Sequence, residues 1–510
     1  MQLFVPDTSG NTRISWAILA CLCLGTFLRV YNFWLPDLWL DEYGTWWVVS
    51  ASTWAEVAER ATSIQGQSPF YYLIVKLFTA MFGEGSFQLR LPSVIFGTLT
   101  LFAALRLAMK IFHDQNLNLV SLAVFTITEQ LIWFSQNARP YALALFLTML
   151  SFLLFLDFSK SRRFRNAIAY AVTTALLIYS HFLFAFVLGV QIVIATLKFG
   201  WRQLFSKYWL LAFLLIGILC LPLTSQILSL YGRRQTLDWV PHIVQSIQAS
   251  ALARGFADPW ALVLATFTLL TVGLKPIDLR DQSTREVLLF LFAWLIVPLA
   301  GLWIVATMIG VSLFEARYVL VIYPATYYIW AWLILHVKPV NWLRWLPSSV
   351  FVVATFTLSL VPHLAETGTF RHSEKLGWDQ AAKTLAAAGQ PGDVVVFYAA
   401  FIEADRFVQR PQDTYLLSYI GWPLLAHLPP NHGFALLSLP LQQNERTDPY
   451  IKSLEIQASK RNRVWVIGPD KQRDYFNDAM ITQFGFHPVP SYLSNNEVKV
   501  SLLVRSNSGL

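Results

Sequence analysis

Two adjacent carboxylates, Asp41 and Glu42, stand in an otherwise apolar and aromatic stretch, Leu38-Trp39-Leu40-Asp41-Glu42-Tyr43-Gly44-Thr45-Trp46-Trp47. An ionised acid close to hydrocarbon is costly, so the pair needs a reason. The chemical reason is that a carboxylate at the edge of an apolar site is a general base able to take the proton of a hydroxyl. The structural reason is an acid capping a helix N-terminus, with the tryptophans anchored at a headgroup layer. On an extended segment adjacent side chains point opposite ways, so one acid faces the site and the other is structural. Asp41 is assigned to the site, with Glu42 as its catalytic neighbour.

The basic candidates are scattered along the chain. Arg139 lies in Ser135-Gln136-Asn137-Ala138-Arg139-Pro140-Tyr141, where proline restarts a helix. A guanidinium fork grips phosphate bidentately and keeps its charge; the plainer alternative is an arginine snorkelling from a helix end. Arg317, in Phe314-Glu315-Ala316-Arg317-Tyr318, repeats the arrangement. Two arginines on one phosphate would offset its charge near a low-dielectric surface; the alternative is an Arg–Glu pair tying loops together. Tyr141 and Tyr318 close these two motifs and count with the arginines as substrate-binding candidates. His181, in Tyr179-Ser180-His181-Phe182, marks a tight bend and reads either as a hydrogen-bonded structural residue or as a phosphate or metal ligand. Lys76 either meets a phosphate or snorkels. Arg90 reads as an anchor at the start of a span. Arg233-Arg234 reads as surface charge, or as a contact for an acidic acceptor or lipid headgroups. Asp41, Glu42 and His181 are also available to a divalent metal, although their spacing requires none.

These residues must be positioned by a membrane bundle. The chain of 510 residues is 55% hydrophobic and 13% charged, with 20 Trp and 38 Phe, whereas soluble domains carry about 25% charged residues. A span needs about 20 apolar residues. Eleven are predicted, near 14–31, 91–110, 117–135, 140–158, 166–181, 183–199, 208–229, 260–274, 286–309, 319–336 and 345–363. The first reads as an uncleaved span, because only Arg13 flanks it. Pro69 to Gly83 is too short to cross and reads as an interfacial helix. With that choice Arg106/Lys110, Lys160/Arg162/Arg163/Arg165, Lys198/Arg202/Lys207, Lys275/Arg280/Arg285 and Lys338/Arg344 share one side, which the positive-inside rule makes cytoplasmic. The net charge of +8 is thereby explained by topology, with no nucleic-acid partner. Cys21, Cys23 and Cys220 lie in apolar runs without metal or disulfide spacing. The predicted organisation is a transmembrane domain over 1–363, with a first outer loop at 32–90, and a polar domain over 364–510. In the latter, helices over 376–388 and 471–484 alternate with strands at 394–398 and 463–468, an α/β pattern.

Taken in order, Leu38-Trp39-Leu40-Asp41-Glu42, Ser68-Pro69-Phe70-Tyr71-Tyr72-Leu73, Phe82-Gly83-Glu84, Leu89-Arg90-Leu91-Pro92-Ser93, Ser135 to Leu143, Tyr179-Ser180-His181-Phe182 and Ala316-Arg317-Tyr318 resemble the GT-C superfamily of polyprenyl-phosphate-sugar-dependent glycosyltransferases. More narrowly, the chain resembles bacterial glycosyltransferase family 39 and the RgtA/B/C/D-like group. The resemblance covers most of residues 14–330. It implies a GT-C bundle, inverting transfer on the extracytoplasmic face, and Asp41 as catalytic acid residue. It also implies a polyprenyl-phosphate sugar donor and a lipid, glycan or protein acceptor, in a bacterial inner membrane; the loop charges put the N-terminus in the cytoplasm and the C-terminal α/β domain outside. Ser68-Pro69 stands where the family often has two prolines. The rival readings are a flippase for lipid-linked sugars, which needs charged groups through the membrane depth, and a non-catalytic glycan-binding scaffold.

Overall fold

A computed structural model describes residues 12–161, 163–232, 266–269, 271, 273, 277–310, 313–315, 317–336, 345–371, 376–489 and 497–505. The expected span at 260–274, Arg233-Arg234, Ala316, Lys275, Arg162 and the basic loop with Lys338 and Arg344 lie wholly or largely outside those residues. The chain divides into two compact units: Met1–Leu35 with Ser52–His372, and Pro36–Ala51 with Ser373–Leu510.

The first unit is helical. In chain order its helices are α1 (Thr12–Val30), α3 (Trp54–Ser63), α4 (Phe70–Phe82), α5 (Ser86–Ile111), α6 (Gln115–Ile127), α7 (Glu129–Ser135), α8 (Tyr141–Ser161), α9 (Phe164–Ser180), α10 (Phe186–Phe199), α11 (Lys207–Cys220), α12 (Leu223–Gly232), α13 (Gln282–Ile309), α14 (Tyr323–Leu335), α15 (Leu346–Ala354) and α16 (Val361–Thr367); α2 (Leu40–Val49) belongs to the second unit. Among the described residues six helical stretches are long and apolar enough to cross a membrane: Thr12–Val30, Ser86–Ile111, Tyr141–Ser161, Phe182–Phe199, Gln282–Ile309 and Leu346–Thr367. Two bent pairs, α6 with α7 and α11 with α12, bring the count to eight. The predicted interfacial stretch is α4, and the predicted span at 319–336 is a shorter apolar helix. The protein is an integral membrane protein.

Polar side chains do the local fixing in this bundle. Arg29, at the end of α1, is buried and donates to the carbonyls of Gly25 at 2.9 Å, Phe125 at 2.9 Å and Thr126 at 3.2 Å. A cation at the C-termini of two helices is favoured by both dipoles. The 59° bend between α6 and α7 has a local cause. Thr128 leaves the helical conformation, and its N–H and hydroxyl both donate to the Val124 carbonyl, at 3.2 and 2.6 Å. The next residue, Glu129, accepts from the Ser359 hydroxyl at 2.7 Å and lies 3.7 Å from His363 Nδ1. Ser359 sits in a π-helical turn, Thr355–Leu360, between α15 and α16.

At one end of the bundle basic side chains are paired across helices. Lys110 near the end of α5 pairs with Asp157 on α8, and Lys198 on α10 pairs with Glu286 on α13, where the charge of Lys160 also acts. Lys160 and Tyr141 stand near opposite ends of α8, a helix of 21 residues and so about 31 Å long.

The second unit is α/β. It contains α2, α17 (Trp378–Ala388), β1 (Val394–Phe397), α18 (Thr414–Ile420), α19 (Trp422–Leu425), β2 (Ala435–Ser438), α20 (Asp448–Ser459), β3 (Arg463–Gly468), α21 (Asp470–Phe484), β4 (Phe486–Pro488) and β5 (Lys499–Arg505). The sheet order is β2-β1-β3-β5-β4. Strands β2, β1 and β3 are parallel, with Val395 opposite Leu436 on one side and Trp465 on the other. Strands β5 and β4 continue antiparallel. All of β1 is buried, which explains its unbroken apolar run. Both strands and both helices expected here are present; β2, β4 and β5 were not foreseen.

Gly97 sets the approach of α5 to α7. A Cβ there would fall 2.1 Å from Ser135 Oγ, 2.4 Å from its Cβ and 3.1 Å from its Cα. Gly97→Ala is therefore expected to cost about 1–3 kcal/mol by overpacking and to lower the thermal unfolding midpoint of the detergent-solubilised chain. An unchanged midpoint would contradict this contact.

Candidate functional site

The residues singled out in the bundle converge on the turn between α7 and α8. Helix α7 ends as Gln136 N–H bonds back to Ile132 and Trp133, and the Arg139 N–H donates to the Asn137 carbonyl at 2.7 Å. Pro140 has no N–H to lose and starts α8, where Ala144 N–H bonds its carbonyl. The turn is held from several sides. Gln136 Nε2 donates to the carbonyls of Leu28 and Arg29 at 3.1 and 2.9 Å, and the Arg371 guanidinium donates to the Gln136 carbonyl. Ser93 on α5 donates to the Arg139 carbonyl at 3.2 Å and receives the Tyr71 hydroxyl at 2.7 Å.

Arg139 itself is 4% exposed. One of its terminal nitrogens donates to Gln65 Oε1 at 3.1 Å and to the Tyr72 hydroxyl at 3.2 Å. These bonds orient the guanidinium. Lys76 is half-buried on α4, one turn beyond Tyr72 and on the same face. Arg90 is fully buried and donates to the Phe33 carbonyl at 3.0 Å, a structural anchor.

His181 links the two arginine motifs. It lies in the break between α9 and the next helical turn and is 7% exposed. Its ring centroid is 5.8 Å from Tyr141 and 6.4 Å from Tyr318, and Arg317 stacks on Tyr318 at 5.5 Å. The bundle thus gathers Arg139, Tyr141, His181, Arg317 and Tyr318, which the sequence scatters over three loops. Such a cluster, cationic and bordered by aromatic rings, suits a phosphate beside a sugar face.

Sequence reasoning missed three contributors. Gln65 carries no motif signal. Tyr72 and Ser93 stand inside quoted motifs without a role until their hydrogen bonds are seen. Asn137 is fully buried, and neither atom of its amide bonds a described residue. Buried amides are normally satisfied, so Asn137 is a further polar group at this turn. Among the described residues no group of three or more His, Cys, Asp or Glu side chains is arranged to hold a metal ion.

The acid pair lies in the second unit, on a helix and not on the extended segment expected. Asp41 and Glu42 occupy the first turn of α2, where the helix dipole favours negative charge. They are therefore about 100° apart around the axis instead of opposed. Glu42 is fully buried, and its carboxylate accepts the Trp39 N–H at 3.3 Å, one half of a capping box. Asp41 is half-buried. Glu42→Ala is expected to cost about 1 kcal/mol of local stability and to speed amide exchange in residues 40–46 about fivefold. Glu42→Gln, which keeps an acceptor oxygen, is expected to leave exchange near wild type. Equal exchange in both variants would remove the capping role.

Comparison with known proteins adds two findings. Residues 66–226 match the model of the dolichyl-phosphate-mannose-protein mannosyltransferase family, a stretch that includes Tyr72, Arg139 and His181 but neither Asp41 nor Arg317. No curated protein matches the sequence closely enough to count as a relative. The fold is similar to that of ArnT from Cupriavidus metallidurans. The apo structure superposes with TM-score 0.52 at 13% identity, covering 97% of this chain and 98% of ArnT. The structure bound to undecaprenyl phosphate gives TM-score 0.54 at 12% identity, covering 98% and 99%. The family match over the central helices and the likeness to ArnT agree on the type of fold.

Proposed function

We propose that this protein is an inverting glycosyltransferase that moves a sugar from a polyprenyl-phosphate carrier to a hydroxyl of a lipid, glycan or protein acceptor. The observation that carries the reading is the ring contact of His181 with both Tyr141 and Tyr318, which brings the Arg139 and Arg317 motifs to one histidine. Two permanent cations beside aromatic rings fit the phosphate of a lipid-linked sugar, and undecaprenyl phosphate is bound by ArnT, whose fold is similar. Asp41 takes the acceptor hydroxyl proton as the oxygen attacks the anomeric carbon. The bond from that carbon to the phosphate oxygen breaks, its electron pair leaves with the polyprenyl phosphate, and configuration inverts. Arg139 and Arg317 stabilise the charge that grows on the departing phosphate. Tyr141, His181 and Tyr318 border the sugar, Lys76 assists at the phosphate, and Glu42 holds the helix that carries Asp41.

The face follows from charge. Arg106 and Lys110 near the end of α5, Lys160 of α8 and Lys198 of α10 lie at the ends of their helices away from the Arg139 turn, and the positive-inside rule reads that end as cytoplasmic. Arg139 then works on the extracytoplasmic side of a bacterial inner membrane. A flippase is the weaker reading, because the cationic candidates cluster at one end.

The test uses the purified full chain in nanodiscs with undecaprenyl-phosphate mannose and other undecaprenyl-phosphate sugars, with a lipid and glycan extract as acceptor. Asp41→Asn is expected to lower release of undecaprenyl phosphate at least about a thousandfold while binding of undecaprenyl phosphate stays within about twofold. Turnover surviving in that variant sinks the role of Asp41. Arg139→Leu is expected to weaken undecaprenyl phosphate binding about thirtyfold, as expected for about 2 kcal/mol of charge-assisted hydrogen bonding. Unchanged affinity would remove the phosphate from Arg139. Movement of intact lipid-linked sugar across a liposome membrane without transfer would favour the flippase.

A further inference from the structure

The second unit holds α2 by one face. The Tyr43 hydroxyl is hydrogen-bonded to His427 Nε2 at 2.9 Å, and the two rings meet edge-on at 5.8 Å. Trp46 packs edge-on against His427 at 5.6 Å and against Trp422 at 6.2 Å. Trp47, 1% exposed, lies between Tyr415 at 5.2 Å and Tyr419 at 5.1 Å, and its indole N–H donates to Ser418 Oγ at 3.2 Å. The entry to the helix is tied as well, since Asp37 accepts the Gly377 N–H at 3.2 Å. At about 100° per residue, Tyr43, Trp46 and Trp47 lie about 200°, 140° and 240° around the helix from Asp41. The gripped face is thus centred opposite the acid.

We infer that residues 415–427 of the C-terminal α/β unit form an aromatic clamp that positions Asp41, which makes His427 and Trp422 positioning residues of the transfer reaction. The isolated sequence of α2 is a poor helix: ten residues, four of them aromatic or glycine among Tyr43, Gly44, Trp46 and Trp47, well short of the length at which helices hold alone. Its shape and the direction of Asp41 are supplied by the unit it packs against. A catalytic group displaced by about 1 Å loses up to a hundredfold in rate without any loss of substrate binding. The segment that carries the clamp, 415–427, then has a task in turnover although it need not touch the substrate. The inference rests on the role proposed for Asp41.

Full-length variants His427→Ala and Trp422→Ala are compared with the wild type in nanodiscs for undecaprenyl phosphate binding, turnover of an undecaprenyl-phosphate sugar, and amide exchange by mass spectrometry. Expected are at least a tenfold fall in kcat, a dissociation constant for undecaprenyl phosphate within about twofold of wild type, and faster exchange confined to residues 38–50. His427→Gln, which keeps a hydrogen-bonding partner for Tyr43, should return kcat to within about threefold. Tyr475→Ala, exposed on α21, should leave both turnover and exchange unchanged. Where an alanine variant does not fold, His427→Leu and Trp422→Leu remove the ring while filling part of its space and are read the same way. Normal kcat in the clamp variants, or equal losses of kcat and phosphate affinity, overturns the inference. Loss of turnover in Asp41→Asn beside normal clamp variants sinks the clamp alone. Full turnover in Asp41→Asn sinks the proposed chemistry, and the catalytic role of the clamp with it.

Discussion

A turn buried inside an apolar bundle has to bring its own hydrogen-bond partners, because lipid supplies none. The Gln136–Pro140 turn meets this demand with side chains from distant segments. Gln136 reaches back to the end of α1, Ser93 reaches across from α5, and Arg371 reaches in from beyond α16. These bonds leave the turn with no freedom to collapse into continuous helix, and Arg139 is aimed as a consequence. Helix α7 is fixed at its other end too, where Glu129 accepts from Ser359 in the π-helical turn. One stretch of chain, 359–371, therefore braces both ends of a seven-residue helix whose only exit is the arginine turn.

The same economy appears at Arg29, whose three carbonyl partners lie at the ends of α1 and α6. Small residues then let helices approach: a side chain on Gly25 would strike Leu101, and one on Gly97 would strike Ser135. Close approach, helix ends closed by buried cations, and polar turns sealed by amide side chains are three answers to one constraint, the absence of water as a partner.

Most span positions were legible because apolar length needs no tertiary information. The bend at Thr128 was not, since threonine is common in such helices and Thr148 and Thr196 make the same hydroxyl bond inside unbroken ones. In the site, Arg139, His181 and Arg317 announced themselves as charged or titratable residues at span ends. Gln65 did not, because a neutral amide in a polar loop looks like any other. Tyr72 was hidden within a motif whose aromatic residues had an equally good interfacial explanation. The buried parallel strands β1 and β3 were plain from their apolar runs, whereas β2 is four residues bounded by Gly433-Phe434 and Leu439-Pro440 and carries too little pattern to read.

The acid pair gives the deepest discrepancy between local and tertiary information. Leu40 to Val49 is rich in aromatic and β-branched residues and contains glycine, a composition that favours extended chain over helix. It is nonetheless helical, and the reason lies almost four hundred residues away in the chain, in the rings of Tyr415, Tyr419, Trp422 and His427. The change of state alters the chemistry that the two acids can share. Opposed on a strand, each would serve a separate neighbourhood; a quarter-turn apart on a helix, both belong to the same first turn. Glu42 takes part in the cap, its carboxylate accepting the Trp39 N–H. Asp41 keeps a half-buried carboxylate on the side away from the aromatic grip. The division of labour that an extended segment would have produced by alternation is produced here by a cap and a clamp.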